Sequence, residues 1–242
     1  MKLLKTLTAI SCFAAVMALM PSCNSSDDKK TDETKKDSTS MTKDSVTAPT
    51  KPGDILVVMH KVKDFDKWLP VFEGDDSAQK AAGLTRTTLG RGIDDPSMVL
   101  IGFRMADYDK AKAMGSSAEL KAKMEKGGVV GPPTMHYENM QMMDTNTNSI
   151  LDRIIIFSKV KDYGAWEKSF KEHSDVRKNG GVVDRGYGYG FDDNHNVTVV
   201  LAINDMKKAR EFAKSPELKA RMDSAGVVGK PDMFFYHVVK KY

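Results

Sequence analysis

Histidine changes charge near neutral pH and readily binds metals and haem. This 242-residue chain has five: His60, His136, His173, His195 and His237. Carboxylates come in adjacent pairs, Asp94 with Asp95 and Asp192 with Asp193, and "ENMQMMD" (138–144) groups thioethers of the kind that suit Cu(I). No histidine cluster adjoins either feature, so the methionines read as adaptable packing and the aspartates as turn residues that bond their own backbone. "RGYGYGF" (185–191) invites comparison with a phosphate loop, but such a loop follows a strand and opens a helix. Here Gly188 and Gly190, like Gly90 and Gly92 earlier, alternate within a strand pattern. Interior glycine marks a bulge or something packed close to the backbone, a helix or a ligand. There is no Ser-His-Asp order, no paired-cysteine metal spacing and no nucleotide fingerprint. The net charge of +4 is spread along the chain and makes no clustered face for nucleic acid.

The elements that must position these residues come in two copies. Sliding the chain by 98 residues aligns "SAELKAKMEKGGVVGPP" (117–133) with "SPELKARMDSAGVVGKP" (215–231), and "KVKDFDKW" (61–68) with "KVKDYGAW" (159–166), without a gap. About a third of the positions from Asp54 to Met143 match their partners, so the chain holds one unit twice. Each copy opens on an apolar, β-branched run, "DILVVMHKV" or "DRIIIFSKV", which reads as a buried strand. A helix follows, capped by Asp64 or Asp162 and ended by Gly83 or Gly181. On it Trp68 and Phe72, or Trp166 and Phe170, share one face. Two strands joined at the Asp-Asp turn, a second helix from Asp107 or Asp205, and a last strand complete β-α-β-β-α-β, the ferredoxin-like order. In the second helical segment Ser215 and Pro216 read as N-cap and first-turn proline, the proline breaking the helical stretch before it, and Gly226 reads as the end. A four-stranded sheet with helices on one side leaves an apolar face, and the second copy supplies its cover.

The repeat also sorts the histidines. Their partners are Ser158, Phe234, Asp75, Ser97 and Asn139, so none recurs and any histidine chemistry belongs to one half. His60, ending the first strand, and His237, in the last, are candidates to face a cavity, whereas His195 and His173 read as surface.

In strand order, in the "VKDFDKW" opening and in the "SPEL…M…AGVVG" ending, the chain resembles the dimeric α+β barrels related to antibiotic-biosynthesis monooxygenases. The resemblance implies two sheets joined into a barrel, with a ligand cavity between helix layer and sheet. Trp68, Phe72, Trp166 and Phe170 would then line it; His60 and His237, from their strand positions, and the glycines at 90, 92, 188 and 190, from their bare strand face, are the further ligand-binding candidates. It also implies cofactor-free oxygenases, haem proteins and small-ligand sensors as possible functions, with haem as the one cofactor to consider.

The N-terminus reads as an export signal. Lys2 and Lys5 precede an apolar stretch from Leu7 to Met20, too short for a span of about 20 residues. Ser22 followed by Cys23 resembles the lipobox of bacterial lipoproteins, which implies lipid on Cys23 as the first mature residue. Cys12 leaves with the signal, so no disulfide competes for Cys23. Residues 24–53 have no aromatic side chain and six acids against six bases, the composition of a flexible tether.

The sequence therefore predicts an α+β protein with a signal over 1–22, a lipidated Cys23 and tether over 23–53, and repeats over 54–145 and 150–242. The expected function is a monomeric, lipid-anchored envelope protein whose internal barrel binds a small apolar molecule, with no metal and no nucleic acid. A monooxygenase-like enzyme, cofactor-free or haem-linked, and a ligand-free structural module are the alternatives.

Overall fold

A computed structural model describes residues 53–242; the signal, Cys23 and nearly all of the tether lie outside the described residues. The first copy runs β1 (Asp54–Val62), α1 (Phe65–Glu73), α2 (Asp76–Ala81), β2 (Leu84–Gly92), β3 (Met98–Met105), α3 (Tyr108–Gly115), α4 (Ala118–Lys126) and β4 (Val129–Met143). After a 3-10 turn (Asn146–Ser149), the second runs β5 (Asp152–Val160), α5 (Tyr163–Glu172), α6 (Ser174–Asn179), β6 (Val182–Gly190), β7 (Asn196–Ile203), α7 (Met206–Ala213), α8 (Pro216–Ser224) and β8 (Val227–Lys241). No helix among the described residues is long and apolar enough to cross a membrane.

The strands close into one antiparallel barrel, β1-β3-β2-β8-β5-β7-β6-β4, with β4 returning to β1. Each half contributes the ferredoxin-like order, and the halves meet at two seams, β2 with β8 and β4 with β6. Closure removes every sheet edge, the feature that makes an isolated sheet prone to association.

Local chemistry explains the helix boundaries. The Asp64 carboxylate accepts from the backbone N–H of Asp66 and Lys67, and Asp162 from that of Ala165. Ser117 and Ser215 accept from the N–H of Leu120 and Leu218. Gly83 and Gly181 leave their helices at φ of 74° and 79°, a left-handed conformation that costs other residues energy. One boundary differs from the sequence reading. The first helical segment of each copy is two helices, broken at Gly74–Asp75 or at His173. One break is held by a tertiary bond and the other by a local one: Asp75 accepts from Lys123 Nζ at 2.5 Å, and His173 Nδ1 lies 2.6 Å from the Ser169 carbonyl one turn back.

The Asp-Asp turns divide their work. Asp95 and Asp193 bond locally, to the N–H of Ser97 and His195. Asp94 and Asp192 reach the opposite half instead, where Arg210 meets Asp94 at 2.6 Å and Lys112 meets Asp192 at 3.0 Å. Arg210 and Lys112 are repeat partners, so this is one interaction made twice.

Candidate functional site

Alternation along the strands creates two kinds of interior. Leu56, Val58 and His60 point to the helix layer of the first half, and Ile154, Val199 and Leu201 to that of the second. Val57, Leu100, Ile155, Val200, Tyr236 and Val238 point into the barrel.

An apolar cavity, partly open to solvent, lies beneath each helix layer. In the second half it measures about 110 Å³ and is walled by Trp166, Phe170, Leu201, Phe212, Met222 and Phe235. In the first half it measures about 70 Å³, between Trp68, Phe72, Phe103, Met124, Met135 and His60. Trp68 stacks on Phe72 at 4.9 Å and Trp166 on Phe170 at 5.2 Å, so the repeated aromatics build the same wall twice. An engineered apolar cavity of about 150 Å³ takes up benzene, which sets the scale: these are sites for one small ring or a short aliphatic chain. Part of the size difference traces to His60, whose imidazole fills space that the smaller Ser158 leaves open.

A guanidinium covers the phenylalanine of each layer, but from different sequence positions. Arg86, on β2, lies 4.3 Å from the Phe72 ring centre and donates to the Phe72 carbonyl at 2.7 Å. Arg177, on α6, lies 3.6 Å from the Phe170 ring centre and donates to the Phe170 carbonyl at 2.7 Å. The repeat pairs Arg86 with Asp184 and Gln79 with Arg177, so charge and partner have changed places. Arg86 Nε donates to Gln79 at 2.7 Å, while Arg177 grips Asp184 through two bonds of 2.6 Å.

His60 is 5% exposed, and neither ring nitrogen has a hydrogen-bond partner. Burial holds its pKa down at about 4, so the ring is neutral, and it meets Trp68 edge-on with ring centres 5.5 Å apart. His237 lines neither cavity: it is exposed on β8, with Nδ1 2.6 Å from Asp152 Oδ1. His195 is exposed at the β6–β7 turn beside Asp193. His173, read from sequence as surface, borders the larger cavity. Haem does not fit these positions, because a tetrapyrrole is several times the size of benzene and His60 faces only about 70 Å³. Among the described residues no group of three or more His, Cys, Asp or Glu side chains could hold a metal ion.

The alternating glycines face neither a helix nor these cavities. They turn into the barrel at its seams, where a Cβ on Gly90 would overlap the Tyr236 ring and one on Gly188 the Asn139 carbonyl. Gly92 lies against Phe234 and the Asp95 carbonyl, and Gly190 borders an opening at one barrel end.

That opening, about 430 Å³, holds chemistry that sequence reasoning missed. Glu138 is 3% exposed; its Oε1 accepts from Thr198 Oγ1 at 2.8 Å and its Oε2 has no partner. Burial pushes its pKa up to about 7, and the Thr198 bond pulls it partly back. His136 Nδ1 lies 4.0 Å from Glu138, and the ring stacks on Phe157 at 3.7 Å. Burial lowers this imidazole, against the pull of Asp232. A carboxyl that titrates near neutrality beside an imidazole has the make-up of a proton-exchange site. The repeat held a signal for it. Glu138 is the partner of Tyr236, and Thr198 of Leu100, so two buried positions change from carboxyl to phenol and from leucine to hydroxyl.

No family model matches the chain, and no curated protein matches it. Solved structures do resemble it. A proposed monooxygenase from Fusobacterium nucleatum subsp. nucleatum aligns at TM-score 0.50 and 14% identity, over 79% of this chain and 94% of its own. An anthrone oxidase-like protein aligns at TM-score 0.55 and 12% identity, over 78% and 92%. The fold is the dimeric α+β barrel, closed here within one chain. At these identities the likeness extends to the barrel's architecture alone, and this barrel's chemistry must come from its own side chains.

Proposed function

We propose that this barrel binds a small, largely apolar molecule beneath α5–α8, and that it does so as an exported protein held to the cell envelope by lipid on Cys23. The observation that carries the binding reading is the cavity of about 110 Å³ walled by Trp166 and Phe170 and bordered by Arg177. Its apolar lining favours an uncharged ring or short hydrocarbon. Benzene and indole titrated into the full-length protein raise its melting temperature, because a ligand that binds only the folded state stabilises it. Ser158→His, which installs the first half's residue, reduces that rise while the fold persists. A melting temperature unchanged by every such probe favours the ligand-free module. The anchor reading rests on Ser22–Cys23 after the apolar run and before the tether. Mass spectrometry of membrane-fraction protein finds acyl mass on Cys23, and Cys23→Ala releases the protein into the soluble exported fraction.

A second reading, a cofactor-free oxygenase, has support from the names of the fold neighbours and from the buried, unpartnered His60 beside Trp68. The cavity there limits its substrate to a single small ring. Oxygen uptake with single-ring phenols tests it, and uptake that survives His60→Ala removes His60 from the reaction.

A further inference from the structure

The barrel end opposite Glu138 carries charge that the fold leaves unanswered. Its opening measures about 350 Å³ and is bordered by Arg153, Arg185, Arg104 and Lys241, with no carboxylate side chain among the described residues that line it. Arg185 is 9% exposed: Nη2 donates to Asn148 Oδ1 at 2.6 Å, while Nε and Nη1 have no partner. Arg153 is 4% exposed; its Nε makes a long bond to the Ile150 carbonyl at 3.3 Å, and its guanidinium also bonds the Tyr236 hydroxyl, a neutral partner. Burial first, and the Arg153 charge second, lower the pKa of Arg185, with only Asp144 and Tyr236 acting the other way. Two buried guanidiniums that repel each other are a cost to the fold unless something anionic meets them. Open donors at such depth are rare in folded proteins.

The repeat sharpens the point. Arg153 stands where the first copy has Ile55, and Arg185 where it has Thr87, and all four border the same opening. One side of the opening is thus cationic, and beyond it lie Val57, Leu100, Ile155 and Val200. A general polar drift would not place two arginines at one depth with their donors aimed at a shared space.

We propose that this end of the barrel binds an amphipathic organic anion, a carboxylate or phosphate monoester with a short apolar body. Its head takes the free donors of Arg185 and the Arg153 guanidinium, as planar guanidinium forks take oxyanions. Its body runs down the apolar wall into the barrel. This site is separate from the helix-layer cavity, and its fate does not bear on that reading.

Hexanoate, hexyl phosphate and 1-hexanol, titrated calorimetrically into the full-length protein, test it. Hexanoate and hexyl phosphate bind at least tenfold more tightly than hexanol, the factor expected of a charge-assisted bond. Arg185→Met weakens both anions by on the order of tenfold or more and leaves hexanol unchanged. Ser158→His, which narrows the helix-layer cavity, leaves both anions unchanged and reduces any hexanol held there. Inorganic phosphate binds more weakly than hexyl phosphate, which reports the apolar body. Arg185→Met removes a buried charge with open donors and keeps the melting temperature at or above that of the parent. Should it fail to fold, Thr88→Asp, which adds a carboxylate at the same opening, gives the second measurement and weakens anion binding. Equal binding of hexanoate and hexanol, or anion binding that survives Arg185→Met or Thr88→Asp, overturns the proposal.

Discussion

The helix layers of the two halves have stayed alike, while the barrel interior between them has not. Beneath the helices, tryptophan stacks on phenylalanine, a guanidinium covers the phenylalanine, and a cavity lies under both, in either half. Inside the barrel, Ile55 faces Arg153 across the repeat, Leu100 faces Thr198, and Glu138 faces Tyr236. The first region is constrained by packing, because each half must seal its own sheet. The barrel interior is shared, so one copy can carry polar groups while the other supplies apolar cover. Divergence there is where function is to be sought.

The strongest way to break this comparison is to truncate the matched tryptophans. Trp68→Ala and Trp166→Ala should each lose about 3–5 kcal/mol in urea unfolding. Losses that differ widely would mean that the two layers are equivalent in shape only.

Next in size is a pH effect that the intact protein conceals. Glu138 is raised from its ordinary 4.5 to about 7, so the protein is favoured below 4.5 and loses that contribution as pH rises through 7. His60 is lowered from 6.5 to about 4, so its contribution is present above 6.5 and lost as pH falls toward 4. Between about 4.5 and 6.5 the two slopes oppose each other. Glu138→Gln exposes the histidine slope, with stability rising by about 3 kcal/mol from pH 4 to pH 6.5. His60→Leu exposes the opposite slope. Urea midpoints across that range check both, and a flat profile in each variant would remove the two groups from the account.

The exchanged guanidiniums allow a subtler test. Gln79→Arg alone crowds Arg86 with a second cation, and Arg86→Asp alone removes the cover over Phe72. The double variant rebuilds the second half's arrangement, so the cycle should show favourable coupling of about 1–3 kcal/mol. Smallest of all, Asp94→Asn and Asp192→Asn break the reciprocal pairs with Arg210 and Lys112, exposed contacts whose loss should lower the melting temperature only slightly. Thermal melts at low and high salt check this, because screening should erase the difference.

Much of the fold could be read along the chain. The 98-residue repeat, the strand order, the Asp and Ser caps and the Gly83 and Gly181 endings are local patterns, set by hydrogen bonds and φ angles within a few residues. The aromatic walls were legible too, because helical spacing fixes a face. The glycines were half legible: their bare face was predicted, but what lies against Gly90 and Gly188 comes from the other copy, about 50 to 150 residues away along the chain. His60 and His237 could not be told apart from strand position alone. The register of β8 against β5 leaves His237 beside Asp152, and the side of β1 that meets α1 buries His60.

The sequence by itself determined that one unit occurs twice and that each unit is β-α-β-β-α-β, since periodicity and capping act over short distances. Tertiary structure alone decided that Arg86 and Arg177 reach one place from different elements, and that Glu138 meets Thr198. It likewise gathered Arg153 and Arg185 at one barrel end. The reason is barrel closure, which brings strands far apart in the chain to a common interior where a side chain's charge and bonding depend on neighbours that no local pattern names.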